Sequence, residues 1–414
     1  MKCFSPLGRR MTASVLMIPV SLLAALTIFG CGSSNSVSSP NKSGSLVVPD
    51  AGNNRVLIYN APFTTGATAS AVLGQTGFTT ATAGTTASTM SDPSGVAFDS
   101  TGNLYTLESY NGNAGNSRVL QFKAPFTTGA SASAVLGAPD FVTSGNIGYP
   151  TGVAVDKANN VWISAQESAV VVEYSAPITT GMAQTLSLGS GYLSKPTGIA
   201  FDAAGNLWVA DAGYSRVVEF AAPLSSTSVP ALILGQPSGS GSTTPNTGGV
   251  SATSLATPTG VVFDTSGNLW ASDSGNHRVL QYKTPFSNGM AATVVVGQAS
   301  FTSDSANQGL SAPSAATLNN PITASFVNGS LAVGDSGNNR TLIFASPFNT
   351  GMSASAVLGQ SNFAANAANQ GSTPSASTQS EPYNGGFSLM ALAVVGGLVI
   401  GWFAWTRRRG RVAA

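Results

Sequence analysis

One histidine, His277, and two cysteines, Cys3 and Cys31, are all that 414 residues supply of the side chains that most often hold transition metals or act as base and thiol nucleophile. That scarcity excludes a His-rich zinc centre, which takes three or four ligands from His, Cys and carboxylate. Charge is also scarce, at 8% of residues. Seven of the 17 basic residues stand at the two ends (Lys2, Arg9, Arg10, Arg407, Arg408, Arg409 and Arg411), while all 16 acids lie between them. The body therefore carries ten basic against sixteen acidic residues, net −6, and lacks the clustered Lys and Arg that nucleic-acid binding needs. What is abundant is glycine, at 47 residues, within a composition that is 43% hydrophobic. Such a mix is too apolar for a disordered chain and too glycine-rich for a helical one, so an all-β fold is expected.

The ends read as targeting segments. Residues 1–30 combine a basic start, an apolar run from Met11 to Phe29 and Gly30 ahead of Cys31, the layout of an export signal. The Ile28-Phe29-Gly30-Cys31 stretch resembles a bacterial lipobox, which implies lipidation of Cys31; an ordinary signal peptide is the alternative. With Cys3 removed alongside the signal, the mature chain has one cysteine and no internal disulfide. A short linker, 31–43, precedes the body. At the other end, a low-complexity linker (361–386) leads to 19 uncharged residues, Phe387 to Trp405, enough for one transmembrane helix. The Arg-rich tail 406–414 should stay on the cytoplasmic side. Gly-Gly, apolar run and Arg cluster together resemble the tripartite GlyGly-type sorting tails of bacterial surface proteins, and Glu381-Pro382 faintly resembles the exosortase type. Anchoring by lipid, helix or both is expected, with the body exported.

Between the ends the chain repeats itself. Pro-Ser-Gly-Val-Ala-Phe-Asp at 93 has counterparts at 150, 196 and 258 and a worn copy at 321, while a further copy begins partway through, at 44–59. Each unit holds four short apolar runs. The first ends in an Asp-x-x-Gly-Asn turn, where Asp accepts backbone N–H groups and Gly supplies a positive φ. The second resembles Asn-Leu-Trp-Val-Ala-Asp, the third alternates as in Arg-Val-Val-Glu-Phe, and the fourth closes in Leu-Gly-Gln or similar. Four antiparallel strands per unit in six units describe a six-bladed β-propeller, with each blade buried only by stacking on its neighbours. The first blade has no obvious inner strand, so three strands are expected there unless residues 37–44 supply one, with Asn41 in the register of the turn Asp. It is expected to be the weakest blade.

On these residues the chain resembles the NHL-repeat family over 44–360. The resemblance implies the propeller and leaves function open among protein-binding platforms, RNA-binding domains, extracellular sensors and a zinc-dependent lyase. The third copy departs from the family pattern, with Ala165 and Val170 where the other copies carry an acid and an Arg.

Candidate chemistry follows from the register. His277 sits in a turn beside Asp273 and Ser274, but its counterparts are Asn54, Ser117, Ser215 and Asn339, and Asp273 recurs as Asp50, Asp211 and Asp335 with Glu108 in the second copy. The spacing therefore gives no catalytic triad, and no catalytic or metal residue is assigned. The pairs Asp50/Arg55, Asp211/Arg216, Asp273/Arg278 and Asp335/Arg340 are expected to fix turns as exposed ion pairs, or else to form a polar rim for a ligand. The inner-strand acids Asp99, Asp156, Asp202 and Asp264 are expected as turn caps, with a central calcium ion as the other use for them; no cofactor is expected. Long Ser-, Thr-, Gly- and Asn-rich linkers (76–92, 237–257, 299–320) emerge on one face and short turns on the other. A monomeric scaffold binding a protein or glycan through the linker face is the functional expectation, with a divergent propeller lactonase or lyase as the alternative.

Overall fold

A computed structural model describes residues 44–109, 116–236 and 243–382. Its 23 strands form six antiparallel sheets in chain order. The first blade has three strands, β1 (Leu46–Asp50), β2 (Arg55–Tyr59) and β3 (Ala71–Leu73). The second holds β4 (Pro93–Phe98), β5 (Leu104–Glu108), β6 (Arg118–Phe122) and β7 (Ala134–Leu136), and the third β8 (Pro150–Val155), β9 (Val161–Ala165), β10 (Val170–Tyr174) and β11 (Leu186–Leu188). The fourth holds β12 (Pro196–Phe201), β13 (Leu207–Asp211), β14 (Arg216–Phe220) and β15 (Pro230–Leu234). The fifth runs from β16 (Pro258–Phe263) through β17 (Leu269–Asp273) and β18 (Arg278–Tyr282) to β19 (Val294–Val296). The sixth comprises β20 (Pro321–Val327), β21 (Ser330–Asp335), β22 (Arg340–Phe344) and β23 (Ala356–Leu358). Segments 1–43 and 383–414 lie outside the described residues, and with them Cys31, residues 37–43 and the apolar run 387–405. Among the described residues no helix is long and apolar enough to cross a membrane.

Successive side chains along a strand point to opposite faces, and each blade uses both. In β17, Leu269 and Ala271 pack into a core shared with the fourth blade, while Trp270 packs into one shared with the sixth. Six such cores join neighbouring blades, and the sixth, built from Leu46, Val48, Leu57 and Tyr59 with Val327, Ala332, Ile343 and Leu358, joins the last blade to the first. The ring is thereby closed. Aromatic contacts run between blades as well: Trp270 meets Phe326 and Phe348 edge-on, with centroids 5.7 and 4.9 Å apart, a favoured geometry for such rings.

The Pro-x-Gly start of each inner strand has a steric cause. A Cβ on Gly152 would lie 2.2 Å from the Thr197 carbonyl oxygen of the next blade, and one on Gly198 would lie 2.7 Å from Gly260 Cα. The inner strands converge here until only glycine fits, and hydroxyls tie them together: Thr151 Oγ1 donates to the Pro196 carbonyl at 2.8 Å and Thr197 Oγ1 to the Pro258 carbonyl at 3.0 Å. The axis is pinched at the linker end of the ring.

Candidate functional site

The two faces of the ring use their acids differently. On the short-turn face, Asp202 Oδ1 accepts the Ala204 and Asn206 N–H groups at 2.9 Å, while Oδ2 accepts Asn206 Nδ2 at 2.8 Å and the Trp208 indole N–H at 3.1 Å. Asp156 and Asp264 repeat this with Trp162 and Trp270, and Asp99 does so with the Tyr105 hydroxyl at 3.3 Å. Both oxygens of each carboxylate are thus spent on capping the turn and seating an aromatic ring. Among the described residues, no three of His, Cys, Asp and Glu gather as a metal cluster would.

On the linker face the repeated acid and Arg are buried. Side chains of Asp50/Arg55, Asp273/Arg278 and Asp335/Arg340 are 0% exposed; only Arg216, at 12%, has partial access to solvent. This differs from the exposed pairs expected above, because the guanidinium turns inward under the linkers. Arg278 Nε donates to Asp273 Oδ2 at 2.7 Å, Nη2 to the carbonyls of Ser251 and Ser254 at 3.0 Å, and Nη1 to the Phe301 carbonyl. One side chain therefore grips the linker before its blade and the linker after it. Arg55 grips Phe78, Ser375 and Thr378 in the same way, Arg340 grips Phe363, Ser314 and Thr317, and Arg118, paired with Glu108, grips Phe141 and Thr86. Burial pushes the Asp273 carboxyl up, opposed by Arg278 and by N–H groups from Ala256 and Asn276. At 0% exposure Asp50/Arg55, Asp273/Arg278 and Asp335/Arg340 present no surface to a ligand, and of the four pairs only Arg216 reaches solvent.

Two further sets of residues complete the clamp and were not singled out from the sequence. Asn276 donates to Asp273 Oδ2 at 2.7 Å and exchanges amide hydrogen bonds with the linker residue Asn246 at 2.8 Å; Asn53 with Asn369 and Asn338 with Asn307 do the same. The Gln of Leu-Gly-Gln, Val-Gly-Gln in the fifth blade, reaches back: Gln298 Nε2 donates to the carbonyls of His277 at 3.2 Å and Ser305 at 2.9 Å, and Gln75, Gln236 and Gln360 act alike. Their signal was the recurrence of Ala-Asn-Gln-Gly at 306 and 368 and of Leu-Gly-Gln itself.

His277 belongs to this framework. It adopts a left-handed conformation (φ 53°), as do Asn54, Ser215 and Asn339 at the same place, and Nδ1 accepts the Asn320 N–H at 2.9 Å. Asn54 Oδ1 accepts Asp92 N–H at 3.0 Å, and Asn339 Oδ1 accepts Glu381 N–H at 2.8 Å. In each case the turn's side chain holds the residue just before the Pro of the next inner strand. Because Nδ1 accepts, the proton sits on Nε2, and burial lowers the pKa of the ring against the weaker opposing pull of Asp304.

The pattern breaks around the third blade. Ala165 and Val170 replace the ion pair, Ala138 at the end of the second blade and Ser190 at the end of the third stand where Gln75, Gln236, Gln298 and Gln360 are found, and the linker after β11 runs only from Gly189 to Lys195. That short linker has no counterpart of Phe78, Phe141, Phe301 and Phe363, which pack over the other cores. A cavity of about 670 Å³ remains between the second and third blades, lined among others by Ala138, Ile147, Val170, Tyr174 and Met182.

Compared with known proteins, residues 255–282, the heart of the fifth blade, match the NHL repeat model. No curated protein matches the chain. Among solved structures, virginiamycin B lyase from Staphylococcus aureus is similar at 10% identity, with 78% of this chain and 84% of that one covered and a TM-score of 0.40. A protein of unknown function from Bacteroides caccae is similar at 12% identity, covering 76% of this chain and 97% of that one with a TM-score of 0.45. The chain is a six-bladed, all-β propeller carrying an NHL repeat.

Proposed function

We propose that this protein is an exported, surface- or membrane-anchored binding scaffold that engages a protein or glycan partner through its linker face. The observation that carries the reading is the Arg clamp: linkers of low-complexity composition are held to the blades by buried guanidinium groups at both ends of their course. A loop ordered in advance loses less entropy on binding, and loops on a rigid scaffold are where recognition concentrates. The surface they present is rich in hydroxyl and amide groups, and it exposes Val142, Tyr192 and Leu310 at 70%, 44% and 57%. The ionisable groups beneath are engaged in holding the fold, which favours binding over catalysis.

The test is a screen of glycans and exported surface proteins against the intact protein and a Val142→Ser/Tyr192→Ser/Leu310→Ser variant. Loss of binding by the variant with unchanged Tm supports the reading. A ligand bound equally by both would place recognition elsewhere, and turnover of a bound compound would replace the scaffold with an enzyme.

A further inference from the structure

Four of the six cores between blades are covered by three partly buried side chains at a fixed spacing from the aromatic residue that ends the third strand. After Tyr282 in the fifth blade these are Phe286, Met290 and Phe301, four, eight and nineteen positions on. Phe348, Met352 and Phe363 follow Phe344 at the same spacing, Phe126, Ala130 and Phe141 follow Phe122, and Phe63, Ala67 and Phe78 follow Tyr59. The last Phe of each set is the one whose carbonyl an Arg grips. After Tyr174 in the third blade the first two members are Ile178 and Met182, but the third position holds Leu193, which packs into the core of the third and fourth blades instead. Val170 stands where the gripping Arg would be. The cavity of about 670 Å³ lies where this ring and this guanidinium are missing, for Val170, Val172, Tyr174 and Met182, the residues such a ring would pack on, all line it.

We propose that this cavity is a docking site for an aromatic side chain presented by a protein partner, which takes the place that the chain's own linker Phe takes at four other cores. The proposal rests on the binding reading above and narrows it to a protein and to one position on the ring.

The chemistry of the lining selects the occupant. Ile147, Val170, Val172 and Tyr174 are buried and make an apolar floor, with the Met182 thioether half-buried beside it; thioether sulfur and aromatic rings attract one another. Among the described residues no charged side chain lines the cavity, so an ionic group entering it would give up hydration without gaining a counter-charge. A sugar would set hydroxyls against the apolar floor, where they find no partners. The rim is different: Asn146, Ser168 and Gln184 are exposed, and their amide and hydroxyl groups can bond the backbone flanking the ring, the task that Arg performs for the linker Phe. The volume lies within the range of about 300–1,000 Å³ usual for ligand sites and exceeds what one ring fills, which leaves room for that backbone.

The experiment uses the full-length chain and N-acetyl-phenylalanine methylamide as the probe, in a form whose ring carries a diazirine for photocrosslinking. Peptide mapping should find the label concentrated in 137–147 and 165–187, the segments that line the cavity. Excess unlabelled probe should compete it away, and methyl glucoside should not. Met182→Trp, which places a ring in the cavity from a half-buried position, should weaken probe binding about tenfold, the order expected for displacing one buried ring. Met290→Trp, at the equivalent place where Phe301 already sits, should change neither labelling nor affinity. Should Met182→Trp fail to fold, Ala183→Trp at the exposed rim occludes the mouth without entering the core and should weaken binding likewise. Label spread over the surface, competition by the glucoside, or wild-type affinity in the occluded variant overturns the proposal. A partner screen that finds nothing would end the scaffold reading and leave the probe bound, whereas an unbound probe beside a confirmed partner would end this proposal alone.

Discussion

His277 Nδ1 is an acceptor for the Asn320 N–H, and protonation would turn it into a donor facing a donor. Burial lowers the folded-state pKa below the ordinary value of 6.5, so the unfolded chain takes up this proton first as pH falls. The contribution is therefore present above pH 6.5 and is lost as pH drops through and below that value. His277→Asn restores an acceptor of the kind found at Asn54 and Asn339 without a titrating ring. Thermal melts should show the difference in Tm between wild type and variant growing from pH 7.5 to pH 5, with wild type the loser at low pH; a difference independent of pH would refute this role. Arg278 offers a second residue-scale test. Removing one member of a buried pair costs about 3–5 kcal/mol, so Arg278→Ala should lower stability by that order in denaturant melts, and Arg216→Ala by less, since Arg216 is partly exposed and, among the described residues, bonds a single linker carbonyl, that of Tyr192. The double variant Asp273→Ala/Arg278→Val, which copies Ala165 and Val170, should be less damaging than Arg278→Ala because no charge is left unpaired. Sequence register identified both residues of four of the five pairs and the acid, Glu108, of the fifth. It did not reveal burial, because whether an Arg beside an Asp points outward or under a loop depends on carbonyls some 23 to 27 residues away in the chain.

At the scale of elements, the linkers are the part that composition describes worst. Ser, Thr, Ala and Gly in low-complexity runs read as spacers, yet the segment 299–320 is fixed by Arg340 at Ser314 and Thr317, by Gln298 at Ser305, and by Asn338 at Asn307. Native-state proteolysis measures this directly. With a protease that accepts small residues, wild type should resist cleavage within 299–320, whereas Arg340→Ala should be cut there at a temperature at which the blades remain folded. Equal resistance would remove the clamp from the account of a pre-ordered face. Strands, by contrast, were legible throughout: alternation, the Asp-x-x-Gly-Asn turn and the Pro-x-Gly start located them, and the three-stranded first blade was expected. Residues 361–386 were expected as a linker, and 361–382 lie against the first blade as the other linkers lie against theirs. The recurrence of Ala-Asn-Gln-Gly at 306 and 368 marked this likeness, whereas composition did not, because the segment offers only the amide and hydroxyl groups that the clamp uses.

For the whole molecule, the question is which of the six interfaces yields first. A ring of repeats is held by nearest-neighbour contacts, so local opening should begin at the weakest junction. The sequence points to the first blade, which lacks a visible inner strand. The packed cores point elsewhere. The junction of the sixth and first blades has a continuous core, the Arg55 clamp and the Asn53–Asn369 amide pair. The junction of the second and third blades has no ion pair on β10, no Gln at position 138, no capping Phe from the short linker after β11, and a cavity of about 670 Å³. Side chains lining this open cavity face solvent where a packed neighbour would supply dispersion contacts. Hydrogen exchange read by mass spectrometry should therefore show β10 and β11 exchanging before β18, β19, β22 and β23, with β2 among the protected group. Filling the cavity with Ala138→Gln, the residue the repeat uses at this place, should slow exchange in the third blade and leave the fifth unchanged. Earlier exchange of β2 than of β10 would return the weak point to the first blade.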